Sequence, residues 1–466
     1  MRHLVTILLG LATLTGAGQT PQPGGPPNIL LIQADDLGYG DLSVYGQTKF
    51  QTPALDRLAR EGMRFTQYYS GSTVCAPSRA ALLTGKHTGH AWIRGNGGLP
   101  EGDVPLRAEE VTIAEVLRDR GYRTALVGKW GQGQPGTPGM PDQQGFGYAF
   151  GFLDQRHAHR QFTDHFYRNG ERVAVDLDHD YAGDLFTKEA AAVIEKDDPR
   201  PFFLYLNYTV PHAELRAPED SMAAFRGKFP EKPFANAKAD AVPSGSRPDT
   251  PSLGYRSQPA PHAAFAAMIT RMDRDIGRLA DLLSARGLDR RTLILFTSDN
   301  GPHQEGGADP IFFNSSGGLR GIKRDLYEGG IRVPMIARWI GTVPAGRVSE
   351  HPWAHWDLLP TFAELAGAKT PEGVDGMSMV RALRGQQQPT HPYFYWEFHE
   401  RGFQQAVRMG NWKAVRLKPG EALELYDLAS DVKETRNVAA SNPDVVAKIE
   451  AYLKTARSES ARWPGK

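Results

Sequence analysis

Two pairs of oxygen-bearing side chains stand out in this 466-residue chain as candidates for chemistry. Asp35 and Asp36 are adjacent, and Asp299 and Asn300 form a second pair far along the chain. Adjacent carboxylates repel each other unless a positive charge lies between them, and carboxylate and amide oxygens are the ligands that Ca²⁺ or Mg²⁺ prefers. Zinc prefers nitrogen and sulfur donors. The four residues therefore predict a site for a hard divalent cation, Ca²⁺ in preference to Mg²⁺, with a solvated turn at Asp35 and Asp36 as the alternative.

Cys75 is the only cysteine in the chain, so it cannot form an internal disulfide. Pro77 has the fixed φ suited to the first turn of a helix, and residues 79–83 continue with good helix formers. The sequence predicts Cys75 just before a helix N-terminus, where N–H groups and the positive helix end favour a thiolate or a bound oxyanion. The alternative is a buried structural thiol, the usual environment of a free cysteine.

Short apolar runs precede each group of polar residues, which is typical of strands buried on both faces of a parallel sheet. Such runs begin at Asn28, Arg123, Phe202 and Thr292 and lead to Asp35, Lys129, His212 and Asp299. Ligands bind at the carboxyl ends of the strands in an open α/β sheet, so we expect these residues to meet there. His212 follows a proline, and its imidazole is suited to protonating a leaving oxygen unless it is an ordinary surface residue.

Composition and the first residues bear on where the protein acts. Lys plus Arg (54) nearly equals Asp plus Glu (53), so no overall field favours nucleic acid or an anionic membrane. Residues 1–18 have the basic, apolar and small-residue order of a signal peptide, and 19–27 are a Pro/Gly-rich linker. The apolar run is too short for a stable membrane span. We expect an exported protein, periplasmic or extracellular.

The rest of the chain divides into a large unit and a small one. We expect a catalytic domain over 28–368, a Pro/Gly-rich linker over 369–391, and a small antiparallel sheet with a closing helix over 392–466. Residues 213–260 have little periodicity and are expected to be an insertion over the active-site face. A helical pattern over 262–286 places Asp273 and Asp275 on an expected solvated face.

Several motifs resemble one enzyme family. Cys75-Ala76-Pro77-Ser78-Arg79, followed by Leu83-Thr84-Gly85, resembles the signature of the type I, formylglycine-dependent sulfatases of the alkaline phosphatase superfamily. The segment 318–334 is similar to the family's Gly-rich stretch with a sulfate-binding lysine, which matches Lys323, with Arg320 or Arg324 as alternatives. The resemblance implies an α/β fold: a large mixed, mostly parallel sheet flanked by helices, with a smaller C-terminal α+β domain on an antiparallel sheet.

The resemblance also implies an activity, the hydrolysis of sulfate monoesters. A formylglycine-generating enzyme would oxidise Cys75, and one hydroxyl of the hydrated aldehyde would attack sulfur. Asp35, Asp36, oxidised Cys75, Asp299 and Asn300 would hold the metal. Arg79, Lys129 and Lys323 would clamp sulfate and nucleophile, and His212 would protonate the leaving oxygen.

One position departs from the family pattern. Many sulfatases have Gly-Lys-Trp-His where this chain has Gly128-Lys129-Trp130-Gly131, so the hydrogen bond that the family's histidine makes to the formylglycine needs another source. His157 or His159 could supply an imidazole from a different loop. The residues expected to contact substrate are Arg94, Asn96, His157, His159 and His303.

The substrate expected from this resemblance is a small-molecule or oligosaccharide sulfate ester, with galactose-type sugars as a candidate and an aryl ester as the alternative. Two other functions remain open at this stage. One is hydrolysis of phosphate or phosphonate monoesters, as in related enzymes of the superfamily. The other is an inactive exported glycan-binding homologue, for which Gly131 is the supporting feature.

Overall fold

A large mixed sheet forms the centre of the computed structural model, which describes residues 25–97, 104–241 and 254–465. The predicted signal peptide and residues 19–24 of the predicted linker lie outside the described residues. The strands of this sheet are β1 Asn28–Asp35, β2 Met63–Tyr69, β3 Arg123–Lys129, β4 Tyr148–Phe152, β5 His165–Arg168, β6 Glu171–Ala174, β7 Phe202–Pro211, β8 Thr292–Ser298, β9 Arg332–Arg338, β10 Arg347–Ser349 and β11 Trp353–Ala354.

The strand order is β10-β2-β9-β8-β1-β7-β3-β4-β5-β6, and β11 also pairs with β2. The central strands β8, β1, β7, β3 and β4 are parallel, whereas β9 and β5 pair antiparallel with their neighbours. The predicted large, mostly parallel sheet is therefore confirmed, and the strands that precede the polar residues lie side by side at its centre.

Helices cover both faces of the sheet. They are α1 Pro53–Glu61, α2 Cys75–Thr84, α3 Ile113–Arg118, α4 Ala182–Glu195, α5 Glu219–Ala223, α6 Ala237–Asp240, α7 Pro261–Ala285, α8 Glu328–Ile331, α9 Leu358–Leu365, α10 Val380–Leu383 and α11 Pro443–Leu453.

The alternation of side chains along β1 shows how the two faces are filled. Leu30 and Ile32 pack in an apolar cluster with α1, α4 and α7, whereas Ile29 and Leu31 pack in a second cluster with α2, α3 and α9. Because successive side chains of a strand point to opposite faces, an all-apolar strand requires helices on both sides. Among the described residues, no helix is both long and apolar enough to cross a membrane.

The expectation of a solvated face on α7 is wrong for two acidic residues. Asp273 is buried, and its carboxylate accepts hydrogen bonds from the backbone N–H groups of Ala54 (3.1 Å) and Leu55 (2.8 Å). It therefore caps the N-terminus of α1 from another helix, where the helix dipole favours a carboxylate. Asp275 is also buried and pairs with Arg274 and Arg278.

A second, four-stranded antiparallel sheet occupies the C-terminal part of the chain. Its strands are β12 Phe394–Phe398, β13 Gln404–Met409, β14 Trp412–Arg416 and β15 Glu424–Asp427, in that spatial order. One face packs against α11, and the other packs against apolar side chains of the large unit, including Tyr69 and Trp356. The predicted smaller α+β unit is confirmed.

A buried polar network lies between the two sheets. The ammonium of Lys413 on β14 is 3.0 Å from Glu328 of α8 and 3.3 Å from Glu434, and all three side chains are fully buried. Buried charges are tolerated when they are paired, so this network fixes the small sheet on the large unit. The stretch predicted as a linker, 369–391, is also packed, because Met379 and Leu383 belong to the apolar core of the large unit.

Candidate active site

The carboxyl ends of four neighbouring strands deliver polar side chains to one point. Asp35 ends β1, Lys129 ends β3, His212 follows β7, and Asp299 follows β8. All four side chains are buried, with at most 1% of their surface exposed. The predicted meeting of these distant segments therefore occurs in the structure.

Cys75 lies at the centre of this group as the first residue of α2. Its Sγ is 3.6 Å from Oδ1 of Asp35 and 3.9 Å from Oδ1 of Asp36. Possible ligand atoms of Asp35, Asp36, Cys75 and His212 all lie within 4.8 Å of one another. Burial raises the pKa of the unmodified thiol well above its usual value, even though Lys129 and Lys323 act to lower it.

Each carboxylate of the centre is paired with a different cation. Nζ of Lys129 is 2.7 Å from Asp35, and Nζ of Lys323 is 2.8 Å from Asp36. Nη2 of Arg79 is 2.8 Å from Asp299. Three cations thus match three carboxylates, so an added divalent cation would leave the centre positive and attractive to an anionic ester.

The carboxylates differ in how well the protein balances their charge. Burial acts to raise the pKa of Asp35, but Lys129 and the other nearby cations outweigh it and hold that pKa well below its usual range. Burial raises the pKa of Asp299, and the charge of Asp35 raises it further. The centre therefore has room for more positive charge beside Asp299.

The donor atoms fit a hard cation. The amide oxygen Oδ1 of Asn300 is buried and has no hydrogen-bond partner among the described residues, while its Nδ2 donates to Oδ1 of Asp36 at 2.7 Å. Oδ1 of Asp299 lies 3.0 Å from the backbone nitrogen of Asp36, which joins the two pairs. Carboxylate and amide oxygens gathered in this way suit Ca²⁺ or Mg²⁺ better than zinc.

His212 is held in one orientation beside Lys323. Its Nδ1 donates to the carbonyl oxygen of Ala213 at 2.6 Å, which leaves Nε2 as the acceptor 3.0 Å from the Lys323 ammonium. The imidazoles of His159 and His303 both stack with the His212 ring, with ring centroids 4.2 Å and 5.4 Å away. Burial lowers the pKa of His212 well below its usual value, and Lys323 lowers it further.

Gly131 adopts a conformation that a histidine would rarely take. Its φ is +67°, in the left-handed region, and a Cβ at this position would lie 2.2 Å from Nε2 of Gln155. The carboxamide of Gln155 thus occupies the space that a side chain at position 131 would need.

The five residues predicted to contact substrate fall into two groups in the structure, three near the centre and two away from it. His159 stacks on His212, and His303 donates from Nε2 to the carbonyl oxygen of Pro211. Asn96 accepts a hydrogen bond from the backbone N–H of Ala76 at 3.0 Å, so it lies beside the first turn of α2. These three residues lie at the centre or next to it.

The structure does not support a substrate role for Arg94 or His157. Arg94 is 2% exposed, and its guanidinium contacts Ala91, Glu397 and Ser458, which ties its loop to the small sheet. His157 is buried between aromatic rings, and its Nε2 bonds to Thr163 at 2.8 Å. These two predictions gain no support, because the polarity of a loop does not show which way its side chains turn.

Sequence reasoning missed two residues beside Lys323. Glu305 lies 3.4 Å from its ammonium and 3.6 Å from Nε2 of His212, and the hydroxyl of Tyr255 donates to Glu305 at 3.1 Å. Glu305 follows Asn300 by five positions in the same loop after β8, which is the one signal that could have indicated it. Tyr255 lies within the stretch 213–260, which has little periodicity, and gave no signal.

Comparison with known proteins agrees with this geometry. A family model described as Sulfatase matches residues 27–368, and one described as N-sulphoglucosamine sulphohydrolase, C-terminal, matches residues 322–459. The chain is 32% identical to the steryl-sulfatase of Mus musculus, over 86% of this chain and 73% of that protein. It is 29% identical to the N-acetylgalactosamine-6-O-sulfatase of Bacteroides thetaiotaomicron, over 98% of this chain and 99% of that protein.

A solved structure has the same fold over almost its whole length. The crystal structure of Ps i-CgsB in complex with k-i-k-neocarrahexaose superposes with a TM-score of 0.77 and 28% sequence identity. The match covers 95% of each chain.

Proposed function

The chain belongs to the sulfatase family of sulfuric ester hydrolases, and on that premise we propose that it is an exported enzyme that removes sulfate from sulfated carbohydrates. We further propose that it uses a formylglycine made from Cys75 and a bound divalent cation, Ca²⁺ or Mg²⁺. We also propose a catalytic domain over 28–368 and a C-terminal unit over 392–466, and the presence of two separate sheets supports this division.

The observation that carries the proposal is the convergence at Cys75. A single buried cysteine begins a helix and lies 3.6 Å from Asp35, within a group of oxygen donors and cations that come from distant parts of the chain. Burying three carboxylates together with three cations costs desolvation free energy that an apolar core would avoid, which argues for a role beyond packing.

The nucleophile and its activation would come from a modified Cys75 and from a bound cation. A hydrated formylglycine at position 75 would supply an oxygen nucleophile, and a divalent cation held by Asp35, Asp36, Asp299 and Asn300 would favour its ionised form. Binding of the sulfate group and delivery of the proton would be carried out by side chains of the chain itself.

Lys129 and Lys323 pair with Asp35 and Asp36, the two carboxylates beside Sγ of Cys75, and so place two ammonium groups where the charge of a sulfate monoester would sit. Both side chains are almost completely buried, so their interaction with an anion would be only weakly screened by water. Arg79, paired with Asp299, holds the base of the site.

His212 can deliver a proton to the oxygen that leaves with the sugar by passing on one that its Nε2 accepts from the Lys323 ammonium. Its Nδ1 is committed to Ala213, so Nε2 is the atom that faces the site, and the Lys323 ammonium is the donor next to it. A hydrogen-bonded donor beside the leaving oxygen typically contributes about 10²-fold to 10⁴-fold in rate.

Two lines support a carbohydrate substrate and export. The Bacteroides relative is named as an N-acetylgalactosamine-6-O-sulfatase, and Ps i-CgsB was solved with a neocarrahexaose. The steryl-sulfatase relative keeps a sterol or aryl ester as the competing substrate class. Export is supported by the order of residue types over 1–18.

The test is a screen for sulfate release. Purified protein, loaded with Ca²⁺, is assayed with singly sulfated galactose, N-acetylgalactosamine and glucosamine and with para-nitrophenyl sulfate and phosphate, alongside the Cys75→Ala variant. We expect release from at least one sugar sulfate with a kcat/KM above that for the aryl sulfate. Turnover of the aryl phosphate alone, or equal release by Cys75→Ala, would contradict the proposal.

A further inference from the structure

Exposure to solvent increases along one line of side chains that leads outward from the buried centre. The exposed fraction is 1% for His212 and 3% for Lys323, and it rises to 21% for Glu305, 29% for Arg324 and 25% for Glu400. A substrate whose sulfate lies against Lys323 would therefore place the atoms next to its ester beside Glu305.

Glu305, Arg324 and Glu400 form a continuous chain of ion pairs, which we name the entrance triad. Oε1 of Glu305 is 2.7 Å from Nη1 of Arg324, and Nε of Arg324 is 2.9 Å from Glu400. Glu400 follows β12 in the small sheet, so the two sheets both contribute to this entrance.

The backbone at the middle of the entrance triad is strained. Arg324 has a φ of +75°, in the left-handed region that non-glycine residues rarely adopt, and its N–H donates to the carbonyl oxygen of Thr73 at 3.0 Å. As a result the consecutive side chains of Lys323 and Arg324 both reach Glu305. Strain of this kind persists where a site requires a particular side-chain direction.

We propose that Glu305 accepts a hydrogen bond from a neutral hydroxyl group next to the sulfate ester, which makes it the residue that selects a sugar over an aryl or steryl substrate. This inference rests on the proposed function and names the feature of the substrate that the site reads. Oε2 of Glu305 contacts Lys323 at 3.4 Å in the free site, and sulfate would draw that ammonium away, leaving the oxygen to accept from the substrate.

The charges around Glu305 favour a neutral donor. Arg324 stays paired with this carboxylate when Lys323 turns to the sulfate, so a cationic amino group on the substrate would gain little from it. Glu400 leaves the entrance triad with one net negative charge, which disfavours a second sulfate or a carboxylate on the same sugar. A singly sulfated, otherwise neutral sugar matches both conditions.

A site built to bond a substrate hydroxyl can discriminate strongly against analogues that lack it, by about 10⁴-fold to 10⁵-fold in favourable enzymes. The partial exposure of Glu305 lets water replace the missing hydroxyl, so we expect a smaller effect here, about tenfold to a hundredfold.

The experiment combines a change in the protein with a change in the substrate, in the manner of a double-mutant cycle. Wild type and Glu305→Gln are assayed with the best sugar sulfate from the screen, with its deoxy analogue lacking the neighbouring hydroxyl, and with para-nitrophenyl sulfate. We expect the wild type to prefer the hydroxylated sugar at least tenfold in kcat/KM, chiefly through KM. In Glu305→Gln that preference should fall below threefold.

A merely structural role for Glu305 would lower kcat/KM equally for all three esters and leave the preference unchanged, which would overturn the inference. Glu219→Gln, at an exposed Glu219–Arg226 pair, is the matched control and should keep the wild-type preference. Absence of turnover of any sulfate ester by the wild type would instead overturn the proposed function, so the two failures are distinguishable.

A second variant tests the entrance triad from the small sheet. Glu400→Gln removes a negative charge without touching Lys323 or His212, and we expect it to raise kcat/KM for a doubly sulfated sugar at least threefold relative to the singly sulfated one. An unchanged ratio would show that Glu400 does not face the substrate and would overturn this part of the inference.

Discussion

Sγ of Cys75 lies 3.6 Å from Oδ1 of Asp35, although the two residues are 40 positions apart in the chain. The contact joins the first turn of α2 to the carboxyl end of β1, and the partners of Asp35 then bring in Lys129 and Arg79. Several distant segments therefore depend on one another at a single buried point.

Modification of Cys75 is the first prediction. In active protein, mass spectrometry of the peptide that contains Cys75 should show the mass of an aldehyde in place of the thiol. Cys75→Ser should lower kcat by roughly 10³-fold or more, because a hydroxyl at this position cannot form the hydrated aldehyde. Fully active material with an unmodified thiol would refute the mechanism.

Metal removal is the second prediction. Chelation should abolish activity and lower Tm, and Ca²⁺ or Mg²⁺ should restore both, because a ligand that binds only the folded state stabilises it by about 2.7 kcal/mol at a hundred times its Kd. Asp36→Asn should weaken the metal-dependent rise in Tm. A Tm that does not respond to either ion would contradict the assignment of the oxygen donors.

Gly131 provides the third prediction. Gly131→Ala should lose stability for two reasons, the left-handed φ, which costs roughly 1 to 2 kcal/mol, and the close approach to Gln155. Adding Gln155→Ala to this variant should recover only the stability that is lost through the close contact with Gln155. The matched control is Gly121→Ala, where φ is +83° and no atom lies within 4 Å of a Cβ, so its loss of Tm reports strain alone.

The two histidines of the loop after β4 provide the fourth prediction. His159→Ala should lower kcat/KM at least tenfold, because its ring packs on His212. His157→Ala should instead lower Tm and change kcat/KM less than threefold, because its ring is buried among Phe152 and His165. A loss of less than tenfold when both are replaced would dismiss the hypothesis that either supplies the missing imidazole.

The buried network between the sheets provides the fifth prediction. Lys413→Met should destabilise the protein by about 3 to 5 kcal/mol, because it leaves Glu328 and Glu434 buried without their shared cation. Lys369→Met, at a pair that is 85% and 93% exposed, should change stability by less than about 0.5 kcal/mol. Denaturant unfolding of both variants measures the difference.

The strands and their carboxyl ends could be predicted because each strand has a recognisable pattern of apolar residues in the sequence. An apolar run such as the one that leads to Asp299 requires burial on both faces, and the carboxyl ends of parallel strands necessarily lie together. The short strands of the small sheet were equally readable from alternation and turn residues.

Individual side-chain directions could not be predicted. Asp273 has the spacing of an exposed helical residue, yet it caps another helix, and Arg94 lies in a polar loop, yet it pairs with Glu397. Each outcome depends on which distant segment packs nearby, and the periodicity of one segment contains no such information.

Burial of Cys75, which is 3% exposed at the start of a packed helix, also constrains when the protein can mature. An enzyme that oxidises this thiol must reach its sulfur, and the finished sheet and α2 leave no such access. Oxidation would therefore precede completion of the fold, during or soon after synthesis and before the chain is released to its destination. Protein that folds with the thiol intact would remain inactive even if the formylglycine-generating enzyme were added later.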